Sequence, residues 1–345
     1  MVNIVLAAEE SAGIQVLRLV TSAGHRVSAV LTSAPEGARG ATVAAVAEGL
    51  GIEVLPAKLV TDPAFAEHLR AAEVDLLLNI HSLHIADPHV IAAPRIGSFN
   101  LHPGQLPQYA GLNVPSWAIY RGEPHHGVTL HWMAPKVDAG RIAFQASFPI
   151  TPSDTGLSLT AKCVRHGLPL VSALLAQAAR DPVTIPAVSQ DLSLRRYFGR
   201  KVPHGGLIPW ERPARQVVDF IRACDYSPWR SPWGEPRTYA GDLQVTMSKA
   251  SMTEMSAAEP PGTVGSAADR GLLVAAADEW VLVTRIHVGD RRMDPRAALA
   301  AVKPGTRLRG ARDPAGFPLD NTGCSLILTG GGEEHGTHPN GGVGA

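Results

Sequence analysis

A chain of 345 residues, 45% hydrophobic and 18% charged, is long enough for about two domains, each able to bury a core of its own. Its 31 Lys+Arg are matched by 31 Asp+Glu, so there is no net field to hold a nucleic-acid backbone unless charge is segregated on the surface. Cys163, Cys224 and Cys324 are odd in number and widely spaced, which suggests neither a disulfide framework nor a zinc site. The start of the chain lacks the basic stretch and long apolar run of a signal peptide, and no run of apolar residues is long enough to span a bilayer. The expected location is cytoplasmic, with no membrane contact.

In chain order, an apolar run at 3–7 precedes a segment in which Ile14, Leu17 and Val20 recur near a helical period, and Gly24 ends that helix. A second apolar run at 26–32, a helix near 42–50 and a short strand at 52–55 repeat the unit. A helical stretch near 63–72 then leads into 74–80, a continuous apolar run of the kind that strands buried on both faces show. Strands alternating with helices predict an α/β fold with a doubly wound, mostly parallel sheet, and the next expected elements are a strand at 97–102 and a helix at 113–121. Two further strands at 127–133 and 141–150 and a long amphipathic helix at 158–179 complete a first domain, 1–180.

From 181 to 210 the chain carries Pro182, Pro186, Pro203, Pro209 and Gly205-Gly206 without a sustained period, which predicts a linker crossing the surface. After a helix at 214–224, the runs between 237 and 308 are short, β-rich and broken by Gly or Asp. They predict a small open β-barrel within a second domain, 211–310. Residues 311–345 form a tail, expected to be disordered from about 330 because it is Gly-rich and has no apolar anchor.

The first βα turn, Ala7-Ala8-Glu9-Glu10-Ser11-Ala12-Gly13, has no G-x-G-x-x-G, and its two carboxylates would repel a pyrophosphate. No P-loop, G-x-S-x-G or H-E-x-x-H occurs, and no metal site is predicted. Polar groups concentrate instead at the carboxyl end of the 97–102 strand, where period-two alternation puts Asn100 and His102 on one side. Asp138 lies in a turn between two strands. An amide, an imidazole and a carboxylate suit transfer to a nitrogen nucleophile, as carbonyl polariser, base and orienter. On spacing alone, an Asn that closes a turn and an Asp that forms one explain the same residues.

The stretch Ser98-Phe-Asn-Leu-His-Pro-Gly-Gln-Leu-Pro-Gln-Tyr-Ala-Gly-Leu112, continued by Gly127-Val-Thr-Leu-His-Trp-Met133 and Val137-Asp-Ala-Gly-Arg-Ile142, resembles the 10-formyltetrahydrofolate-dependent formyltransferases. The match extends over about residues 1–310. The resemblance implies the Rossmann-like fold of that family with Asn100, His102 and Asp138 as catalytic residues. It implies 10-formyltetrahydrofolate as co-substrate, bound against His81, Ser82, Leu83, Ile85, Ala134 and Val137.

Tyr109, Asn113 and Trp132 are candidates for shaping the acceptor pocket. The family's tRNA-dependent member grips its substrate with a basic loop after the second strand, whereas residues 32–41 here hold one Glu and one Arg. The resemblance is closer to members that formylate the amine or hydroxylamine of small molecules or carrier-bound amino acids in secondary metabolism, such as hydroxyornithine or an amino sugar. Methionyl-tRNA formylation and a non-catalytic folate-binding module are the alternatives. Some relatives dimerise through the C-terminal region, so a homodimer through 211–310 is an expectation.

Overall fold

The computed structural model describes residues 1–33, 40–268, 271–289 and 291–311, so most of the 32–41 loop and the whole tail beyond 311 lie outside the described residues. The chain begins with alternating elements: β1 (Asn3–Ala8), α1 (Glu10–Ser22), β2 (Arg26–Thr32), α2 (Val43–Gly49), β3 (Glu53–Pro56), α3 (Phe65–Ala71), β4 (Leu76–Ile80), α4 (Pro88–Ile91) and β5 (Gly97–His102). There follow β6 (Ala110–Gly111), α5 (Val114–Tyr120), the hairpin of β7 (His125–Trp132) and β8 (Ile142–Pro149), and the long α6 (Gly156–Arg180).

Seven of these strands form one sheet in the order β3-β2-β1-β4-β5-β7-β8, parallel through β5 and antiparallel across β5/β7 and β7/β8. The doubly wound, mostly parallel sheet read from the sequence is therefore present. Leu76, Leu77 and Leu78 of β4 are all buried because helices cover both faces, which is why that run does not alternate. The order turns from β2 to β4 around β1. Open sheets of this kind bind ligands beside such a switch, outside the carboxyl ends of the strands.

Local chemistry sets the helix starts. The Thr155 and Ser158 side chains each accept from the other's backbone N–H in a capping box at α6, and Asp87 caps α4 ahead of Pro88. α6 runs from Gly156, two residues earlier than the apolar periodicity suggests, because that box lies ahead of the first buried leucine.

The 181–210 stretch, read from the sequence as a linker, carries short elements of its own. It holds β9 (Tyr197–Phe198), which pairs in parallel with β6. A two-residue pairing leaves no periodic trace in a sequence. α7 (Ala214–Ala223) then leads to β10 (Arg237–Ala240), β11 (Leu243–Ser256), β12 (Val264–Ala268), β13 (Gly271–Ala275), β14 (Glu279–Val288), β15 (Arg291–Met293) and α8 (Pro295–Ala301). These strands make an antiparallel sheet in the order β10-β11-β14-β13-β12, with β15 on β14. This is the small β-rich C-terminal part expected from the sequence, although its strands are not all short. β11 is 14 residues long, and register shifts along its pairing with β14 break the alternation into what reads as shorter runs.

α7 packs on α5 and on β11, and its Asp219 and Arg222 carry a buried ion pair with Arg222 Nε 2.7 Å from Asp219 Oδ1. Arg222 Nη1 also donates to the carbonyls of Thr151 and Asp154, at 3.1 and 2.9 Å, and so ties α7 to the entry of α6. Removing one partner strands the other charge in a dry interface. Asp219→Ala is expected to cost about 3–5 kcal/mol in urea unfolding, and the double replacement Asp219→Leu/Arg222→Met to recover much of it. A cost below about 1 kcal/mol for the single variant would contradict the pairing.

Candidate active site

Register assembles the first part of the site. β4 pairs with β5 so that Asn79 lies beside Asn100, and β5 pairs with β7 so that Asn100 lies beside His131. Three polar side chains thus stand in a row across three adjacent strands. Asn79 Nδ2 donates to Asn100 Oδ1 at 3.0 Å, which fixes the Asn100 amide with its nitrogen turned the other way. That nitrogen donates to His131 Nε2 at 3.1 Å and, at a longer 3.3 Å, to Asp138 Oδ1. His131 Nδ1 lies 2.8 Å from the carbonyl of Trp132, so its hydrogen belongs on Nδ1 and its lone pair on Nε2.

Asp138 arrives from the loop of the β7/β8 hairpin. Its backbone is left-handed, at φ 53°, a conformation that costs a non-glycine residue about 1–3 kcal/mol unless its surroundings fix it. Neighbouring chain does so. Gly111 N donates to Asp138 Oδ2 at 2.8 Å, and Gly140 sits so close to the hairpin that a Cβ there would fall 1.8 Å from the Trp132 carbonyl oxygen. Gly111 is itself at φ 99°, with no room for a Cβ against the Phe198 carbonyl.

The His102 ring is 3% exposed, with Nε2 donating to the Tyr109 carbonyl at 2.6 Å and Nδ1 3.6 Å from Asp138 Oδ2. The hydrogen of the neutral ring is therefore on Nε2, and Nδ1 keeps the lone pair that faces the carboxylate. Burial pushes the imidazole below its ordinary pKa, and the opposing pull of Asp138 and the Tyr109 carbonyl does not reverse it. Burial alone would raise the Asp138 carboxyl. The electrostatic pull of His102 and His131 and the hydrogen bond from Gly111 N outweigh it and keep the Asp138 carboxyl ionised, its pKa well below the usual range. The site thus rests as a neutral base beside a fixed negative charge. A proton taken up at Nδ1 would meet that charge at once, and the Asn100 amide can exchange its long contact to Asp138 for a carbonyl oxygen.

The cluster contains Asn100, His102 and Asp138, as the sequence suggested, together with His131 and Asn79, which it did not single out. Both signals were present. Asn79 is the one polar residue in Leu76–Ile80, and His131 repeats the period of Thr129 along β7.

The other candidates stand around this centre in different ways. His81 is left-handed at φ 60°, with Nδ1 3.8 Å from Glu10 Oε2. Ser82 is buried, its hydroxyl having no hydrogen-bond partner, while Leu83 and Ile85 are exposed. Ala134 and Val137 are half-buried on the Asp138 loop. Trp132 packs on Phe99, donates from its indole to the Pro186 carbonyl, and lines an open recess of about 460 Å³ with Met133, Ala134 and Gly140. Tyr109 is packed away, its ring stacked on Phe198 and its hydroxyl donating to Glu123 at 2.6 Å. Asn113 is the left-handed residue before α5, and its side chain makes no capping bond. Among the described residues no group of His, Cys, Asp and Glu is arranged to hold a metal ion, and no helix is long and apolar enough to cross a membrane.

Two family models match the chain in sequence order. The one described as formyl transferase matches residues 2–169, and the one described as formyl transferase, C-terminal domain, matches 202–303. The chain belongs to the formyltransferase family. It is a formyltransferase enzyme, and its fold is that of solved members. An N-formyltransferase from Helicobacter canadensis, crystallised with folinic acid and dTDP-3-aminofucose, is similar with a TM-score of 0.65 at 17% identity, over 83% of this chain and 100% of that one. The sugar 3N-formyltransferase WlaRD, crystallised with dTDP and 5-N-formyl-THF, gives 0.63 at 16% identity over 82% of this chain and 97% of its own. HypX from Aquifex aeolicus, in complex with tetrahydrofolic acid, gives 0.61 at 18% identity over 89% of this formyltransferase but only 48% of HypX. At such identities the likeness is one of fold.

His126, at the start of β7, holds the turn that follows His102. Its Nε2 lies 2.9 Å from the Pro103 carbonyl, and its Nδ1 is buried without a partner. Burial lowers its pKa to about 4, with the Pro103 carbonyl opposing. Between about pH 6.5 and 4 the folded protein therefore binds fewer protons at this ring than the unfolded chain does, and stability falls as the pH falls, by about 3 kcal/mol from this group. Urea unfolding at the two ends of that window should show the fall in the native sequence and a shallower one in His126→Phe. Equal slopes would contradict the assignment.

Proposed function

We propose that this formyltransferase moves the formyl group of 10-formyltetrahydrofolate to the nitrogen of a small-molecule amine or hydroxylamine, with Asn100, His102 and Asp138 at the reacting centre. The observation that carries the reading is a buried, ionised Asp138 within reach of both a neutral imidazole and an amide donor. The amine nitrogen attacks the formyl carbon, and negative charge develops on the formyl oxygen. The Asn100 amide donates to that oxygen, and preorganised donors of this kind are worth a few kcal/mol of barrier. The attacking nitrogen gives up its proton to His102 Nδ1, and Asp138 Oδ2 stabilises the imidazolium. Return of that proton to N10 as the C–N bond breaks releases tetrahydrofolate and leaves the formamide.

The donor's pterin is assigned to the loop at His81, Ser82, Leu83 and Ile85 and to Ala134 and Val137. The unpartnered Ser82 hydroxyl supplies a polar contact there, and exposed Leu83 and Ile85 supply apolar surface for a flat ring. Sugar N-formyltransferases among the structural neighbours favour a small acceptor, such as an amino sugar, a hydroxyornithine or a carrier-bound amino acid of secondary metabolism.

Purified protein given 10-formyltetrahydrofolate and a panel of such amines, with initiator Met-tRNA as the rival acceptor, should release tetrahydrofolate and add one formyl group to a small amine, read by mass spectrometry. His102→Ala and Asp138→Ala should each lower kcat by about 10²–10⁴ with folding preserved. Turnover that survives both substitutions would overturn the mechanism, and formylation of Met-tRNA alone would overturn the acceptor class.

A further inference from the structure

The segment that follows α6 lies along the site as a strap. Val188 and Ile142 exchange both backbone hydrogen bonds, at 2.8 and 2.9 Å, so the strap extends the β7/β8 hairpin and residue 190 comes opposite residue 140. Gln190 Nε2 donates to two carbonyls of the Asp138 loop, that of Asp138 at 2.9 Å and that of Gly140 at 2.6 Å. Both neighbours are acceptors, so the amide nitrogen, with its two hydrogens, must face them. Arg195 Nη2 donates to the Val137 carbonyl at 2.9 Å. Further along, the Arg196 and Phe198 carbonyls accept from Ala110 N and Leu112 N, at 3.0 and 2.7 Å. One stretch of chain therefore grips the loop that bears Asp138 and also the turn whose Tyr109 carbonyl holds His102 and whose Gly111 N–H holds the Asp138 carboxylate.

We infer that Gln190 is a positioning residue for Asp138: its amide locks the left-handed loop through the carbonyls on either side of Ala139 and so sets the separation of the carboxylate from His102. The inference rests on the proposed formyl transfer only for its effect on rate. Its effect on geometry is independent of it. Without the two donors, the Asp138 and Gly140 carbonyls lose their partners, and the φ of 53° at Asp138 has less to maintain it. The titratable groups facing His102 are Asp138 from the hairpin, His131 and His126 from β7, and His81 after β4. Of these, Gln190 touches only the residue that raises the His102 pKa. A displaced Asp138 therefore lets the imidazole titrate at lower pH.

The test compares Gln190→Ala with the isosteric Gln190→Glu, which fills the same space but turns an acceptor toward two acceptors. His102 is followed by NMR titration in the intact protein, its signal assigned by its loss in His102→Asn. Formyl transfer to the amine found in the panel, or hydrolysis of 10-formyltetrahydrofolate to formate and tetrahydrofolate if none is found, gives kcat and KM. Both variants are expected to lower kcat by about tenfold or more, with a smaller change in KM, and Gln190→Ala, which adds no charge, to move the His102 midpoint down by about half a unit or more. Leu194→Ala, an exposed residue of the same strap, should do neither. Native kcat in Gln190→Glu, or a native His102 midpoint in Gln190→Ala, would reduce the residue to space-filling and overturn the inference. A shifted midpoint in a protein whose native form neither transfers nor hydrolyses the formyl group would uphold the positioning and instead sink the proposed function.

Discussion

The centre of this molecule is a carboxylate that should not be comfortable where it is. Asp138 is buried, ionised and held in a left-handed backbone conformation, and every one of those conditions costs free energy unless other groups offset it. The offset comes from three directions. Gly111 supplies a backbone N–H, Asn100 an amide, and the rings of His102 and His131, 3.6 and 3.5 Å from the carboxylate, close the third side. A group of this kind persists because its surroundings over-determine it, and the same surroundings make it useful. A dry, fixed negative charge beside a neutral base is an arrangement that water cannot supply.

The fold can be read as the means of building those surroundings. Parallel pairing of β4 with β5 and antiparallel pairing of β5 with β7 bring Asn79, Asn100 and His131 into line, and a one-residue slip in either pairing would turn the row to the opposite face. The β7/β8 hairpin delivers Asp138 to the end of that row. The 186–198 strap then fastens the hairpin to the Tyr109–Leu112 turn, so that the two halves of the site are set by one another and not by the sheet alone. Nearby, the strained residues Glu10 and His81 face each other beside the β1/β4 switch, where a doubly wound sheet offers its crevice.

Much of this was legible in the sequence, for identifiable reasons. Alternating apolar runs and helical periods fix a doubly wound sheet because burial on two faces leaves a coarse, robust signature. Asn100 and His102 stood out because a period of two placed them together at a strand end, and the resemblance to formyltransferases joined Asp138 to them across a long stretch of sequence. Asn79 and His131 were visible letters whose meaning depended on register, which no single strand reveals. Gln190 was hidden more deeply. Its neighbourhood, rich in proline and lacking a period, has the composition of a surface connector, and its contacts are to backbone carbonyls that any sequence would present. Pairing of two residues in β9 with two in β6 is likewise invisible to periodicity, although it helps set the position of Gly111.

The central claim is that Asn100, His102 and Asp138 surround the carbon that is transferred. It is tested most directly by a crystal structure of the protein with 5-formyltetrahydrofolate, whose formyl group is not positioned for transfer and so remains in place. The account predicts the pterin between the 81–86 loop and the 134–138 loop, with N10 and the space beside it facing the Asn100 amide and His102. A folate bound elsewhere, or one whose N10 lies out of hydrogen-bonding reach of that cluster, would contradict it.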